Sequence, residues 1–296
     1  EMLFGLVGSE MCIRDRFNMF KKRLIDLVVL SDIHLGTRGC RADELINYLR
    51  TIKPKKIILN GDIIDIWQFK KKYFPKSHLK VIRILLDFLS KGTKIYYLPG
   101  NHDEVLRKFN GYGMKNFKIS NKAVLKLNGK KAWFFHGDVF DITMKYSKWV
   151  AKLGGIGYDF LIRLNFTVNR FREWRGKGKI SFSKYIKYKV KEAVKYVNQF
   201  EDIALGIARE NNYDFVVCGH IHQPVIRDQI IKGKKITYLN SGDWIENLTA
   251  LEYNNDSWSL FEYDPNNFKN LKKERKSTID KSTNELFESM LKNFKS

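Results

Sequence analysis

The chain has 296 residues, 44% of them hydrophobic and 14% aromatic, which excludes a disordered protein and allows a sizeable core. Its 54 Lys and Arg against 32 Asp and Glu give a net charge of +22, which draws polyanions: nucleic acid, phosphorylated substrates or an anionic lipid surface. Three cysteines, Cys12, Cys40 and Cys218, without a CxxC pair exclude a disulfide framework and point to a reducing cytoplasm, and no apolar run approaches the roughly 18 to 20 residues of a bilayer span.

The opening residues, 1–18, hold too short an apolar stretch for a signal peptide. GSEMCIRDR within them reads as translated sequencing adapter, so the natural start is expected at Met19. LIDLVVL (24–30) reads as a buried strand, RADELINYLRTI (41–52) as a helix stopped by Pro54, and KKIILN (55–60) as a second strand. SHLKVIRILLDFLSKG (77–92) is an amphipathic helix that Ser77 would cap and Gly92 close, and TKIYYLPG (93–100) is a third strand. This βαβαβ rhythm predicts a parallel sheet with right-handed crossovers. Beyond Asn110, AVLKLNGKKAWFFHGD (123–138) predicts a hairpin turning at Asn128 and Gly129. A helical section over about 143–211 interrupts the strands, which return at 213–219, 234–243, 247–255 and 257–264. One domain over 19–264, with that section as an insertion and 265–296 as a Lys-rich peripheral tail, is the organisation expected.

The polar residues gather just beyond the C-terminal ends of strands, where open α/β sheets place ligands. SDIHLG offers Asp32 and His34, NGDIID offers Asp62 and Asp65, and GNHDE offers Asn101, His102 and Asp103. FHGD offers His136, and GHIH offers His220 and His222. Five of the six histidines fall in these loops; His78 does not, and near Trp67 and Phe74 it would either line a pocket or lie on the surface, the surface being the expectation. A lone strand-end Asp is ordinarily a turn former and a lone His a hydrogen-bonded structural residue. Five such loops together point instead to a two-metal centre. Imidazole nitrogen with carboxylate oxygen is the donor set of Mn²⁺, or else Fe²⁺ or Zn²⁺, rather than Ca²⁺ or Mg²⁺.

The series D-x-H, G-D-x-x-D, G-N-H-D, a later H, then G-H-x-H, over residues 32–222, resembles the calcineurin-like metallophosphoesterase superfamily. The resemblance implies an α/β fold, a double β-sandwich flanked by helices (αββα), with a di-metal site at one edge. It implies that Asp32, His34, Asp62 and His222 hold one ion, and that Asp62, Asn101, His136 and His220 hold the other, with Asp62 bridging. It makes His102 the group that stabilises the transition state or protonates the leaving oxygen. Asp103 is expected to orient His102, while Asn101, His102 and His220 are expected to meet substrate. A hydroxide bridging the metals would attack phosphorus in line. All seven ligands are present, which argues against a silent scaffold.

Substrate choice is expected in the insertion. Residues 143–200 carry 14 Lys or Arg and 3 Asp or Glu, interleaved with large apolar residues. That pattern fits either a helical cap with a solvated basic face or a lid that takes acyl chains at an anionic membrane surface. Within the superfamily, GDIIDIW with Trp67, the insertion after HGD, and CGHIHQP resemble the branch that hydrolyses UDP-2,3-diacylglucosamine in lipid A synthesis. That branch cleaves the pyrophosphate to UMP and an acylated glucosamine 1-phosphate at the inner face of the membrane, and it carries arginine where this chain has His102. Another nucleotide or phospholipid ester, or a nucleic acid in a nuclease, is the alternative substrate.

Overall fold

The computed structural model describes residues 22–66, 73–143 and 182–268. The readings placed on the leader, on Trp67, on residues 144–181 of the insertion and on the tail beyond Phe268 lie outside the described residues. The strands are β1 (Arg23–Leu30), β2 (Ile52–Asn60), β3 (Lys94–Leu98), β4 (Gly113–Met114), β5 (Phe117–Ile119) and β6 (Ala123–Leu127). They continue as β7 (Lys130–Phe134), β8 (Phe215–Cys218), β9 (Val225–Ile231), β10 (Lys234–Asn240), β11 (Thr249–Asn254) and β12 (Ser257–Glu262). The helices are α1 (Ala42–Arg50), α2 (Lys76–Ser90), α3 (Val139–Thr143) and α4 (Phe182–Glu210).

Two sheets stack face to face, as the αββα reading requires. One has seven strands in the order β12-β11-β1-β2-β3-β5-β4, the other five in the order β6-β7-β8-β10-β9. The period-2 alternation of apolar residues builds three separate cores. Leu27, Val29 and Ile58 of the large sheet meet Ala132, Phe134, Val217 and Leu239 of the small one. On the outer face of the large sheet, Val28, Leu30, Ile57 and Leu59 pack under Leu45, Ile46 and Leu49 of α1 and Val81, Leu85 and Phe88 of α2. On the outer face of the small sheet, Trp133, Val216, Ile236 and Tyr238 pack under Phe200, Ala204 and Ala208 of α4. Because β1, β2 and β3 run parallel, their C-terminal ends open at one edge, and β7, β8 and β10 run parallel in the small sheet.

Several local expectations change. Pro54 does not stop α1, which ends at Arg50 with the Thr51 hydroxyl donating to the Tyr48 carbonyl at 2.7 Å. Pro54 instead lies near the start of β2, where a missing N–H is tolerated. Ser77 falls inside the first turn of α2, and Pro75 holds the cap position without a side-chain hydrogen bond. The large sheet is mixed, since β11 pairs antiparallel with β1. The hairpin at Asn128 and Gly129 forms as read, both residues having positive φ (44° and 80°).

Candidate metal centre

The first two strand-end loops run side by side. Asp32 N–H donates to Gly61 O at 3.0 Å and His34 N–H to Asp62 O at 2.9 Å, which puts Asp32, His34 and Asp62 on adjacent tracks. The loops of the small sheet are tied to them across the seam: the Asn60 amide donates to Phe135 O at 2.9 Å, and His220 N–H donates to Asp32 Oδ2 at 3.0 Å. Asp32, His34, Asp62, His220 and His222 all adopt left-handed φ, between 51° and 68°. Non-glycine residues rarely do so, and five within one cluster mark backbone held in place by its surroundings. Gly100 leaves room at the centre, because a Cβ there would lie 2.3 Å from Asp62 Oδ1 and 2.7 Å from His136 Nε2.

Three groups of side chains approach closely enough to share an ion. In Asp32–His34–His222, in Asp62–His136–His220 and in His34–Asp65–His102, each residue offers a ligand atom within 4.8 Å of the others. Asp62 stands at the middle: its Oδ2 lies 3.4 Å from His136 Nε2 and 3.9 Å from Nε2 of both His34 and His102. Nε2 of His34 and of His136, and Oδ1 of Asn101, are buried and make no hydrogen bond among the described residues, and Asp32 Oδ1, buried beside them, lies 3.1 Å from His222 Nε2. Burying a polar atom without a hydrogen bond is costly, and buried nitrogen and oxygen atoms converging from separate loops fit the donor set of a divalent cation. His136 Nδ1 is 2.9 Å from the Asn60 carbonyl, which can only accept, so Nδ1 carries the proton and a neutral ring turns its Nε2 lone pair inward.

Electrostatics agree with a cation site. Burial opposes the charged form of His136, but Asp62 and then Asp32 outweigh it and push its pKa up to about 10. Asp32 and Asp243 likewise push His222 up to about 9 against burial. Burial pushes the Asp62 carboxyl up, and the surrounding imidazoles, His136 first, hold it well below the usual carboxylate range. The field of the buried carboxylates therefore favours positive charge at the positions a metal would take.

The structure corrects the role of Asp103. His102 Nδ1 meets Asp65 Oδ2 at 3.0 Å, whereas Asp103, fully buried, accepts from Ile63 N–H at 3.0 Å, Gly100 N–H at 2.6 Å and the Tyr97 hydroxyl at 2.5 Å. Asp103 thus shapes the G-N-H-D loop, and Asp65 orients the histidine. His78 is not a surface residue: it is 2% exposed, and its Nδ1 accepts from Gly36 N–H at 2.9 Å, bracing the first loop.

Other residues of the site were not singled out by motif. Asp141 on α3 accepts from His220 Nε2 at 3.0 Å and from the Tyr196 hydroxyl of α4 at 2.5 Å. Asp243 takes the N–H groups of Ile245 and Glu246 and lies 3.7 Å from His222 Nδ1. Arg107 bonds both oxygens of Asp138 at 2.8 Å, joining the G-N-H-D and HGD loops. A cavity of about 360 Å³, with Trp133 and Phe135 among its walls, adjoins His136.

The chain is similar to several known proteins. The UDP-2,3-diacylglucosamine hydrolase of Blochmanniella pennsylvanica is 26% identical over 244 residues, covering 78% of this chain and 92% of that protein. The enzyme of the same name from Aliivibrio fischeri is 24% identical over 247 residues, covering 79% and 97%. Among solved structures, an archaeal phosphodiesterase aligns over 80% of this chain and 98% of its own, at 12% identity and a TM-score of 0.39. Residues 25–224 match the sequence profile of the calcineurin-like phosphoesterases. The chain belongs to the calcineurin-like phosphoesterase family and is a metal-dependent phosphohydrolase.

Proposed function

We propose that the chain cleaves the pyrophosphate bond of UDP-2,3-diacylglucosamine, giving UMP and 2,3-diacylglucosamine 1-phosphate, at the cytoplasmic face of an anionic membrane. The observation that carries the phosphohydrolase chemistry is the convergence of buried ligand atoms of Asp32, His34, Asn101 and His136 around Asp62. The likeness to the two hydrolases over more than three quarters of the chain supports the substrate. Asp32, His34, Asp62 and His222 would hold one ion, and Asp62, Asn101, His136 and His220 the other, manganese being the metal proposed. Bound there, two divalent ions would supply an activated water and neutralise charge at phosphorus.

The remaining steps belong to the protein. Asp65 accepts the His102 Nδ1 proton and turns Nε2 toward the centre, 3.9 Å from Asp62 Oδ2, with the side chain still 31% exposed. From there His102 stabilises charge on the phosphoryl oxygens or passes a proton to the departing oxygen. Among the described residues no helix is long and apolar enough to cross a membrane.

The Asp65–His102 pair also favours a second reading. A pyrophosphate bond leaves as a stabilised phosphate and needs little help from an acid, whereas an ester oxygen leaves as an alkoxide and needs a proton. A histidine held as a donor therefore suits a phosphate ester on another nucleotide or phospholipid. One assay separates the two: purified chain with Mn²⁺, detergent-solubilised UDP-2,3-diacylglucosamine, a phospholipid monoester and single-stranded DNA. UMP release from the first is expected. Turnover confined to the monoester would favour the second reading, and turnover confined to DNA would make the chain a nuclease.

A further inference from the structure

The segment after the G-N-H-D loop carries a surface that the metal centre does not use. Along a 3-10 turn over Glu104–Phe109 and into edge strand β4, Val105, Phe109, Tyr112 and Met114 are 42, 54, 55 and 60% exposed. Single apolar residues are normal on a surface, but four large ones within ten positions form a cluster that asks for a partner. The charge beside them is mostly positive: residues 104–122 contain five Lys or Arg against one acid, Glu104. Arg107 is engaged by Asp138. Lys108, Lys115, Lys118 and Lys122 are exposed and have no acidic partner among the described residues.

This surface adjoins the centre. Asn110 and Lys122 also line the cavity of about 360 Å³ that reaches His136, and Val139, 47% exposed, lies on its rim. Nucleic acid is the poorer fit, because two of the four exposed apolar tips, Val105 and Met114, are aliphatic and offer no face for a base to stack on. Aliphatic tips, a tyrosine and flanking lysines are the combination that enters the headgroup boundary of a negatively charged bilayer.

We propose that residues Val105–Lys122, with Val139, form the surface by which this protein docks on an anionic phospholipid bilayer, with the cavity beside His136 facing the membrane. The proposal rests on the reading that the substrate is carried by a lipid surface. It assigns the contact to the body of the domain, beside the metal centre, rather than to the basic insertion.

Sedimentation of the full chain with sucrose-loaded vesicles tests it, using phosphatidylcholine with and without phosphatidylglycerol. Two variants report independently: Phe109→Ser with Met114→Ser, and Lys108→Gln with Lys115→Gln and Lys118→Gln. Wild type is expected to bind the phosphatidylglycerol vesicles and not the neutral ones. Each lysine removed should weaken binding by about fivefold. Hydrolysis of the soluble diester bis(4-nitrophenyl) phosphate should be unchanged in both variants. Wild-type vesicle binding by both variants overturns the docking surface, as does a wild type that hydrolyses the diester yet binds neither vesicle. Tighter retention by single-stranded DNA than by vesicles at the same salt overturns the choice of partner. A wild type that binds vesicles but hydrolyses no phosphate ester sinks the enzymatic reading and leaves the docking surface standing.

Discussion

Two of the three candidate ion positions, the two that the sequence motifs name, are braced to different degrees. At Asp62–His136–His220 the imidazole of His136 is buried and fixed through Nδ1 to the Asn60 carbonyl at 2.9 Å, and His220 is fixed through Nε2 to Asp141 at 3.0 Å. At Asp32–His34–His222 the His222 side chain is 36% exposed, and its carboxylate neighbour Asp243 stands off at 3.7 Å. Ligands whose second nitrogen is anchored lose less freedom on binding, and a buried position exchanges slowly with solvent. The Asp62–His136–His220 position is therefore built for retention, and the Asp32–His34–His222 position for access.

Asp62 tests whether the two positions are one centre. Its Oδ2 lies within 3.9 Å of imidazoles from both sides, and its Oδ1 accepts from His102 N–H at 2.8 Å. Asp62→Asn should lower turnover by about a thousandfold or more and weaken both metal equivalents together, as read by UMP release and by metal analysis of dialysed protein. Loss of a single equivalent would show that the positions are separate.

His102 comes next in size. His102→Gln should cost on the order of a hundredfold in turnover with metal content unchanged. Burial lowers the proton affinity of His102, but the hydrogen bond it donates to Asp65 and then the charge of Asp62 outweigh it, so its pKa lies above the ordinary value. A proton donor works below its pKa and fails as pH rises through it. Asp65→Asn removes part of that upward shift, so the alkaline limb of the kcat profile should move to lower pH; an unmoved limb would remove His102 from the donor role.

The loops that meet at the candidate centre are legible in the sequence because each pairs a strand end with a short motif, so a one-dimensional pattern marks a three-dimensional edge. The residues that brace them are not. Asp141 reads as an acid in the first turn of a short helix, and its contact to His220 spans 79 positions. His78 sits among Ser77, Leu79 and Lys80, and its partner, the Gly36 amide, is 42 positions away. Asp103 was given the task of Asp65 because it adjoins His102 in sequence, although the loop turns it inward to Tyr97. Strand β9 has no counterpart among the strands read from the sequence, yet Lys232 and Gly233, both with positive φ, mark the turn that pairs it with β10. Local signals reveal what a loop offers; long-range packing decides what holds it.

The difference between the positions can be read directly by chelation. A graded chelator should remove metal in two phases, the first matching the equivalent lost in His222→Ala and the second the one lost in His136→Ala. Their affinities should differ by about tenfold, the usual worth of an anchored second nitrogen. A single phase would mean that the bracing has no consequence for retention.

The smallest effect separates anchoring from mere presence. Asp141→Asn keeps the size of the side chain but replaces a charged acceptor with a neutral one, so His220 should lose about tenfold in metal affinity at the braced position. Tyr196→Phe removes only the hydroxyl that donates to Asp141, a partner on α4 rather than on a ligand loop. Its cost should be roughly threefold to tenfold in the same metal affinity, with the open position unchanged. If Tyr196→Phe instead weakens the open position equally, the hydroxyl stabilises the whole edge, and the asymmetry between the two positions lies in burial alone.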